Sequence, residues 1–299
     1  MHKIRTMTPS CLVIQRARPL LGTRVILRVH ASSETEGHSA IDAAFAEIEL
    51  IHALMSFHEQ RSDVGNLNRN AHARAVRVHP HTYKVLRLAR ELSDASHGCF
   101  DITVASQLVN WGFLPAPTGR LRPDPHSNWR DVELEPDCHV RFHRPLWIDL
   151  GGIAKGYAVD RALERLRAHG VAQASVNAGG DMRVYGPAAE CVVLRLEFGP
   201  EDALPVVKIK NGSLASSEGM HDHPQRDRNR LPHCDGARRQ PVGVNSFVSV
   251  VTEQCVFADA LTKVVLSRGK RSEPLLRSYG ATAYLHTLGQ GWRRLGMNA

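Results

Sequence analysis

The sequence predicts a single α+β domain in which mixed sheets are covered by helices, and three observations indicate this class. Apolar residues make up 42% of the 299 residues, which is enough for a substantial hydrophobic core. Some segments alternate apolar and polar side chains, as half-buried strands do, whereas others repeat apolar side chains every three or four residues, as amphipathic helices do. The two kinds of segment follow one another along the chain without an internal repeat.

In the first half of the chain, the alternating segment 24–30 predicts a strand that is entered through a turn at Gly22. The segment 38–57 predicts a helix that covers a sheet, because its apolar side chains recur at helical spacing. A polar, turn-rich segment then leads to a short strand over 75–79 and a helix over 81–96.

In the second half, PLWIDL at 145–150 predicts a buried strand, and 156–170 predicts a helix that ends at a glycine. Residues 174–186 predict a strand, a glycine turn and a second strand. A last helix is predicted over 257–267. Further strands are predicted from apolar and β-branched residues over 191–198, 205–210, 246–252 and 279–286.

Two connecting segments stand out by composition. Five prolines from 115 to 136 predict a surface excursion in the middle of the chain. Residues 220–240 contain almost no apolar side chain and predict an exposed loop.

The charge of the chain favours an anionic ligand. The formal net charge is +8 and the pI is about 9.4, a balance that suits nucleotide or phosphate groups. A lysine-rich tail and a repeat of aromatic and basic residues are both missing, so a nucleic-acid partner is not expected.

The sequence predicts a cytoplasmic protein without a membrane partner. No apolar run approaches the ~18 residues of a membrane span, and charged residues interrupt the N-terminus before a signal core forms. The six cysteines contain no CxxC pair, so we expect reduced thiols rather than a disulfide framework.

One short stretch, DLGGIAKGYAVD at 149–160, carries the strongest sign of a ligand site. Bare glycine backbone lets a ligand approach closely, and helix N-terminal amides together with Lys155 favour an anion such as pyrophosphate. Asp149 suits a metal ion or a polar group of the ligand. The spacing fits neither a Walker loop nor a dinucleotide fingerprint. A plain turn with Lys155 in solvent is the alternative interpretation.

Six blocks of the sequence resemble the motifs of the ApbE family, the FAD:protein FMN transferases, and they occur in family order from about 20 to 270. The longest block is DLGGIAKGYAVDRALERLRAHGVAQASVNAGGDMRVYG. The others are PLLGTRVIL, MSFHEQRSDVGNLNR, HGCFDITVASQLVNWGF, the turn SLASSEG and the helix FADALTKVVLSRG. The resemblance implies an ApbE-like domain over 20–299, after an N-terminal extension over 1–19.

The resemblance implies a Mg²⁺-dependent transferase. Such an enzyme binds FAD, cleaves its pyrophosphate and attaches FMN to a threonine hydroxyl of an acceptor flavoprotein, with release of AMP. Phosphoryl transfer of this kind needs charge neutralisation and positioning. Two alternatives stay open: a Mg²⁺-dependent FAD pyrophosphatase that gives FMN and AMP, and a non-catalytic FAD-binding protein.

The resemblance also implies roles for individual residues. Asp149 and Lys155 would contact FAD, and the Gly152 carbonyl and the Asp259 carboxylate would bind Mg²⁺, which prefers oxygen ligands. The residues that would line the flavin or adenosine pocket are Leu21, His58, Cys99, Phe100 and Asp101. Structural alternatives exist: Phe100 as a core residue, Asp101 as the cap of a turn, and Asp259 as a first-turn helix charge.

The segment PHCDGARRQPV departs from the family pattern. His233 and Asp235 match the histidine and aspartate of the family's HIIDPRTG motif only with a deletion, and the rest of that motif is lost. A histidine there suits the general base that activates the acceptor hydroxyl, so His233 is predicted as a catalytic and FAD-contacting residue beside catalytic Asp259. A histidine in a solvated loop is the alternative.

A second departure lies on the last predicted helix. The family generally has Thr or Ser four residues after the aspartate, whereas this chain has Lys263 there and Thr262 one position earlier. Positions three and four residues on share a helix face, so Thr262 is the predicted third metal ligand. Alternatively, Lys263 points into the site and its charge replaces part of the metal's role.

A zinc site formed by His221, His223, His233 and Cys234 is a further alternative, because His and Cys are zinc ligands. The spacing matches no standard zinc pattern, so a solvated histidine-rich loop is the preferred interpretation.

Overall fold

Strands account for much of this computed structural model, which describes residues 12–117, 119, 121–196, 204–219 and 231–296. In chain order the strands are β1 (Leu12–Leu20), β2 (Thr23–Ala31), β3 (Val76–Arg77), β4 (Val132–Glu135), β5 (His139–Phe142), β6 (Gln173–Ala178), β7 (Asp181–Tyr185), β8 (Glu190–Val193), β9 (Val206–Ile209), β10 (Ser213–Glu218), β11 (Cys234–Asp235), β12 (Gln240–Pro241), β13 (Ser246–Thr252), β14 (Thr282–Thr287) and β15 (Gly291–Gly296).

Several of the helices begin at a capping side chain or a proline. In chain order they are α1 (Glu34–Met55), α2 (Asp63–Asn70), α3 (Pro80–Ala95), α4 (Ala105–Asn110), α5 (Ala154–Ala168), α6 (Cys255–Arg268) and α7 (Glu273–Ser278). The Ser33 hydroxyl accepts a hydrogen bond from the Glu36 amide, so α1 begins a few residues before the predicted start at 38. Ser62 caps α2 in the same way.

One large antiparallel sheet has the strand order β1-β2-β6-β7-β10-β13-β14-β15. Helices α1, α5 and α6 pack on one face of it. Alternate residues of β2 point to that face, and Val25, Leu27 and Val29 are fully buried. They share one hydrophobic core with the apolar stripe predicted for the first helix, for example Phe45 and Ile48.

The opposite face of the sheet carries a smaller cluster. The hairpin β8–β9 contributes Val207 and Ile209, which pack with Met182, Leu214 and Phe247 of the large sheet. The sheet is therefore covered by helices on one face and partly covered by a hairpin on the other.

The helices and most strands predicted from periodicity are confirmed, but PLWIDL is not a strand. Leu146, Ile148 and Leu150 are fully buried, as predicted. The segment pairs with no strand, because the Asn68 side chain takes the Ile148 backbone groups: its Oδ1 accepts from Ile148 N at 2.7 Å and its Nδ2 donates to Ile148 O at 3.0 Å. A side chain replaces a strand partner here.

Three further interpretations of the sequence were wrong in detail. SLASSEG, predicted as a turn, contains strand β10. The polar segment before the 75–79 strand contains helix α2, and the proline-rich excursion ends in the pair β4–β5. In each case the element is completed by tertiary contacts that local composition does not show.

Parts of the predicted N-terminal extension and of the predicted loop 220–240 are structured. Residues 12–19 of the predicted N-terminal extension lie in β1, which pairs with β2 along its whole length. Of the predicted loop 220–240, residues 220–230 lie outside the described residues, whereas Leu231, Asp235 and Gly236 are buried. Across the helices of the described residues, none is both long and apolar enough to cross a bilayer.

Candidate active site

A cleft of about 460 Å³ opens where the N-terminus of α5, the end of β10 and the segment after α3 meet. Seven of the residues predicted for the site line this cleft: Cys99, Phe100, Asp101, Asp149, Gly152, Lys155 and His233. Further lining residues that the sequence did not single out include Phe113, Ser216, Ser217 and Glu218. Residues separated by more than 100 positions in the sequence therefore line the same cleft.

The close packing of α5 on α6 sets the geometry of the cleft. A Cβ on Gly156 would lie 2.3 Å from the Cys255 carbonyl oxygen, so this position requires glycine. The Gly156 amide donates to Asp259 Oδ2 at 3.1 Å. Asp160, one turn on, accepts from the Cys255 and Val256 amides, each at 2.9 Å, and thus caps α6. The DLGGIAKG segment and the Asp259 helix are held together as one unit.

Two buried carboxylates and two lysines form the charged floor of the cleft. Lys155 Nζ lies 2.9 Å from Asp181 Oδ2, and the Lys263 ammonium contacts Asp259 Oδ1. Each carboxylate side chain is 1% exposed, against 33% for Lys155 and 14% for Lys263. The lysines therefore reach from the buried carboxylates to the open space of the cleft.

The electrostatics of this floor favour the charged form of Lys155. Burial disfavours the ammonium, but the Asp259 and Asp181 carboxylates outweigh it and hold the pKa of Lys155 well above its ordinary value. Burial, reinforced by the Asp259 charge, raises the pKa of Asp181 to about 6. Burial also opposes ionisation of Asp259, but Lys263 and Lys155 lower its pKa below the ordinary value.

The sequence did not single out Asp181 as a site residue, although the resemblance to the family places its NAGGD segment near the floor of the site. Asp181 follows the turn Gly179–Gly180, where both φ angles are positive and a Cβ on Gly179 would lie 2.4 Å from Thr23 Oγ1. Apart from the ion pair with Lys155, its buried oxygens have no hydrogen-bond partner. The NAGGD segment signalled a tight turn near the site, but nothing local to it indicated that Lys155 would reach the carboxylate.

Asp149 stands at the mouth of the glycine turn. Its Oδ1 accepts from the Gly151 amide at 3.1 Å. Burial raises the pKa of Asp149, although the Gly151 amide and the nearby charges of His58 and Lys263 oppose this. The carboxylate thus lies between the glycine backbone and the lysine floor, where it can accept a hydrogen bond from a ligand.

Arg239, from the segment PHCDGARRQPV that departs from the family pattern, holds the apolar wall of the cleft. Arg239 NH2 contacts Asp101 Oδ2 at 2.9 Å and Thr103 Oγ1 at 2.8 Å. Asp101 also accepts from the Thr103 amide, so it is both a turn cap, as one interpretation held, and a cleft residue. Phe100 likewise belongs to the hydrophobic core and to the lining.

His233 lies in the cleft, held between β10 and the short hairpin β11–β12. Its carbonyl accepts from the Val242 amide at 2.9 Å, and its side chain is hydrogen-bonded to the Glu218 backbone. Burial, reinforced by the Lys263 charge, lowers the pKa of His233 to about 4, so the imidazole is neutral at pH 7. Asp235 points elsewhere and accepts from the Ser267 hydroxyl and from the Arg238 amide at 2.8 Å.

Two predicted pocket residues are placed outside the lining of this cleft. Leu21 lies at the β1–β2 turn, in a second concavity of about 580 Å³ that His52 also lines. His58 is near enough to Asp149 to lower its pKa, and its ring stands edge-on to Phe57 with centroids 6.4 Å apart. Their roles in FAD binding stay predictions.

Of the three residues predicted to bind Mg²⁺, Asp259 and Thr262 have oxygens that already have partners, so the donor set does not fit the ion as it stands. Asp259 Oδ1 contacts Lys263 and Oδ2 accepts from Gly156. The Thr262 hydroxyl bonds to the Asp259 carbonyl at 2.6 Å and to Ser217 Oγ at 2.7 Å. Within the described ranges no group of three or more His, Cys, Asp or Glu side chains is placed to hold a metal. His221 and His223 of the zinc alternative lie outside those ranges.

Chemically, the cleft can hold an anion beside an apolar ring system. Two ammonium groups, the Gly151–Gly152 backbone and the helix N-terminus of α5 lie at one end. Phe100, Phe113 and other apolar side chains lie along the wall. A neutral imidazole, able to accept a proton, faces the same space.

Comparisons with known proteins indicate one family. A model of the ApbE family matches residues 21–285. Two curated relatives are both named FAD:protein FMN transferase. The one from Treponema pallidum is 26% identical over 295 residues, covering 88% of this chain and 81% of the relative. The one from Vibrio cholerae is 24% identical over 239 residues, covering 75% and 71%.

Solved structures share the fold. The ApbE protein of Thermotoga maritima has a TM-score of 0.80 at 24% identity, covering 95% of this chain and 97% of that one. The apo form of the flavinyl transferase ApbE of Pseudomonas stutzeri also has a TM-score of 0.80, at 20% identity, covering 96% and 95%. The α+β fold predicted from the sequence is thereby confirmed.

Proposed function

The chain belongs to the ApbE family, and from this premise we propose that it is an FAD:protein FMN transferase. It cleaves the pyrophosphate of FAD, attaches the FMN half to a threonine hydroxyl of an acceptor flavoprotein and releases AMP. Its curated relatives carry the name of this activity.

The observation that carries the proposal is the pair of lysines on buried carboxylates beside an apolar wall. FAD combines a pyrophosphate with two flat ring systems, and the cleft offers cations for the first and apolar side chains for the second. Because Lys155 is held in its charged form by Asp259 and Asp181, its charge is in place before the substrate binds. Preorganised charges of this kind stabilise the charge that develops in phosphoryl transfer.

The transfer step balances with groups of this chain. The acceptor hydroxyl oxygen attacks the phosphorus of the FMN half, and the bond from that phosphorus to the bridging oxygen breaks. The electron pair leaves with AMP, whose phosphate faces the lysine charges. The hydroxyl proton goes to the imidazole of His233, which lines the cleft and is neutral at pH 7.

The role of Mg²⁺ stays a prediction of the resemblance. Gly152 lines the cleft, whereas Asp259 is buried beneath it and the Lys263 ammonium is bonded to Asp259. We therefore route no step through the ion. The cytoplasmic location and the identity of threonine as acceptor likewise stay predictions.

The experiment that tests the function incubates the full chain with FAD and a candidate acceptor flavoprotein, with and without Mg²⁺. Chromatography measures AMP, and intact-mass spectrometry measures a phosphoester-linked FMN on the acceptor. We expect AMP and adduct in equal amounts. AMP with free FMN and no adduct would identify an FAD pyrophosphatase instead, and FAD binding without AMP would identify a binding protein.

A further inference from the structure

The Lys263 ammonium lies against the carboxylate of Asp259, which is the predicted metal ligand. The ammonium contacts Asp259 Oδ1 and donates to the Asp259 carbonyl oxygen at 3.0 Å. The side chain is only 14% exposed and lines the cleft. Its Cε lies 3.4 Å from where a Cβ on Gly152 would be, so the lysine side chain packs against Gly152 as well as against Asp259.

The other oxygens around this point are also engaged. Asp259 Oδ2 accepts the Gly156 amide, and the Thr262 hydroxyl bonds to the Asp259 carbonyl and to Ser217. Asp181, the second buried carboxylate, is paired with Lys155 at 2.9 Å. Each buried carboxylate of the floor is therefore in direct contact with one lysine, and Asp259 also feels the charge of Lys155.

A divalent ion could reach Asp259 only by displacing this arrangement. The ion would have to break a buried ion pair and move a like charge aside. Moreover, Asp259 and Lys263 together carry no net charge, so the field that would attract a cation is largely cancelled. Mg²⁺ also gives up its water reluctantly, so it binds poorly where its ligands are occupied.

We propose that Lys263 is an internal cation that replaces a divalent metal ion at Asp259 and offers its own charge to the substrate phosphates. The chain then binds Mg²⁺ or Mn²⁺ weakly at this point. The part of the proposal that concerns the substrate rests on the proposed transferase function. The part that concerns metal exclusion does not, because it follows from the Asp259–Lys263 contact alone.

The direct test measures Mn²⁺ binding to the full chain by electron paramagnetic resonance, with Mg²⁺ as competitor. The variants are Lys263→Thr, which removes the ammonium and adds a hydroxyl, and Lys263→Met, which removes the ammonium alone. Lys270→Thr, at an exposed lysine two residues beyond the end of α6, is the matched control. Circular dichroism establishes that each variant is folded.

We expect Lys263→Thr to bind one Mn²⁺ per chain about tenfold or more tightly than the unaltered chain. The Lys270→Thr control should bind as weakly as the unaltered chain. Stoichiometric, Mg²⁺-competed binding of equal strength by the unaltered chain and Lys263→Thr would overturn the proposal, and would favour Thr262 as the ligand. If Lys263→Thr does not fold, the same comparison is made with Lys263→Met.

AMP release from FAD, titrated with Mg²⁺ and with chelator, tests the substrate part. The unaltered chain should keep its rate in chelator, whereas Lys263→Thr should require Mg²⁺. A rate of the unaltered chain that vanishes in chelator would contradict the proposal. Absence of AMP under every condition would contradict the transferase function, while the Mn²⁺ result would still decide whether Lys263 excludes the metal.

Discussion

At the scale of single residues, Gly156 lies where the close approach of two helices leaves no space for a side chain. A Cβ there would lie 2.3 Å from the Cys255 carbonyl oxygen and 2.9 Å from Asp259 Cβ. We expect Gly156→Ala to lower the free energy of unfolding by about 1–3 kcal/mol, because α5 and α6 must move apart. AMP release should fall with it, since Asp259 moves away from Lys155.

The control for this variant is Gly212→Ala, because a Cβ at that position would meet its nearest neighbour at 3.5 Å, an ordinary contact. Urea denaturation of the three proteins measures the difference. Equal stability of Gly156→Ala and Gly212→Ala would show that the helices tolerate separation and would contradict the packing argument.

Because burial shifts the pKa of His233, we expect the free energy of unfolding to depend on pH. Burial lowers this pKa from the ordinary value of 6.5 to about 4, and the Lys263 and Lys155 charges act in the same direction against Asp259 and the Glu218 backbone. Well above pH 6.5 the histidine is neutral in both the folded and the unfolded chain, so it does not lower the free energy of unfolding. Between pH 6.5 and 4 the unfolded chain binds the proton that the folded chain does not, so stability is lost as pH falls.

The measurement compares urea denaturation of the unaltered chain and His233→Gln at several pH values. The free-energy difference between them should change by about 1.4 kcal/mol per pH unit below pH 6 and stay constant above pH 7. A difference that does not change between pH 7 and 4.5 would mean that His233 is solvated, as the exposed-loop interpretation of its segment held.

Single residues also mark how far sequence reasoning reaches into the site. Asp149, Lys155 and His233 could be placed at one site because a local motif or a family block carries them. The family block placed the segment of Asp181 near the site, but the partners of Asp181 and Asp160 could not be predicted, because they lie 26 and about 95 positions away in the chain. No local pattern specifies which distant lysine or helix end a buried carboxylate will meet.

At the scale of elements, the N-terminus of α6 depends on a side chain from α5. Asp160 is buried and accepts from the Cys255 and Val256 amides, and its Oδ1 also contacts Arg183 NH1 at 2.8 Å. We expect Asp160→Asn to cost about 3 kcal/mol or more, because the amide leaves the Arg183 charge without a counter-charge and satisfies fewer helix donors.

Thermal or urea denaturation checks this expectation, with Asp124→Asn as the matched control. Asp124 is a surface aspartate whose ion pair with Arg144 should contribute little. If both variants lost the same small amount of stability, the cap on α6 would not be what holds the two helices together.

Elements with a clear period were predictable, and elements completed by distant partners were not. The first helix shows its apolar stripe locally and the 246–252 strand its β-branched run, so both were found. PLWIDL has the composition of a strand, but Asn68 supplies the hydrogen bonds that a neighbouring strand would. SLASSEG was interpreted as a turn from its resemblance to a family motif, but it forms strand β10, whose Ser216 and Ser217 bond to Ser249 and Thr262.

At the scale of the whole molecule, one sheet and three helices bring the distant motifs together. The turn between β6 and β7 supplies Asp181, the start of α5 supplies Lys155, and α6 supplies Asp259 and Lys263. The chain has a net charge of +8, which adds a long-range attraction for an anionic substrate such as FAD. The single α+β domain was predictable from element order, whereas the pairing of lysines with carboxylates required the structure.

The measurement that tests the central claim most directly is the rate of AMP release from FAD by the unaltered chain, Lys155→Met and Lys84→Met. Lys84 is an exposed lysine of α3 and serves as the matched control. The account predicts AMP release by the unaltered chain and by Lys84→Met, and a rate lower by about 100-fold or more in folded Lys155→Met. Equal rates in all three proteins, or no AMP from any of them, would contradict it.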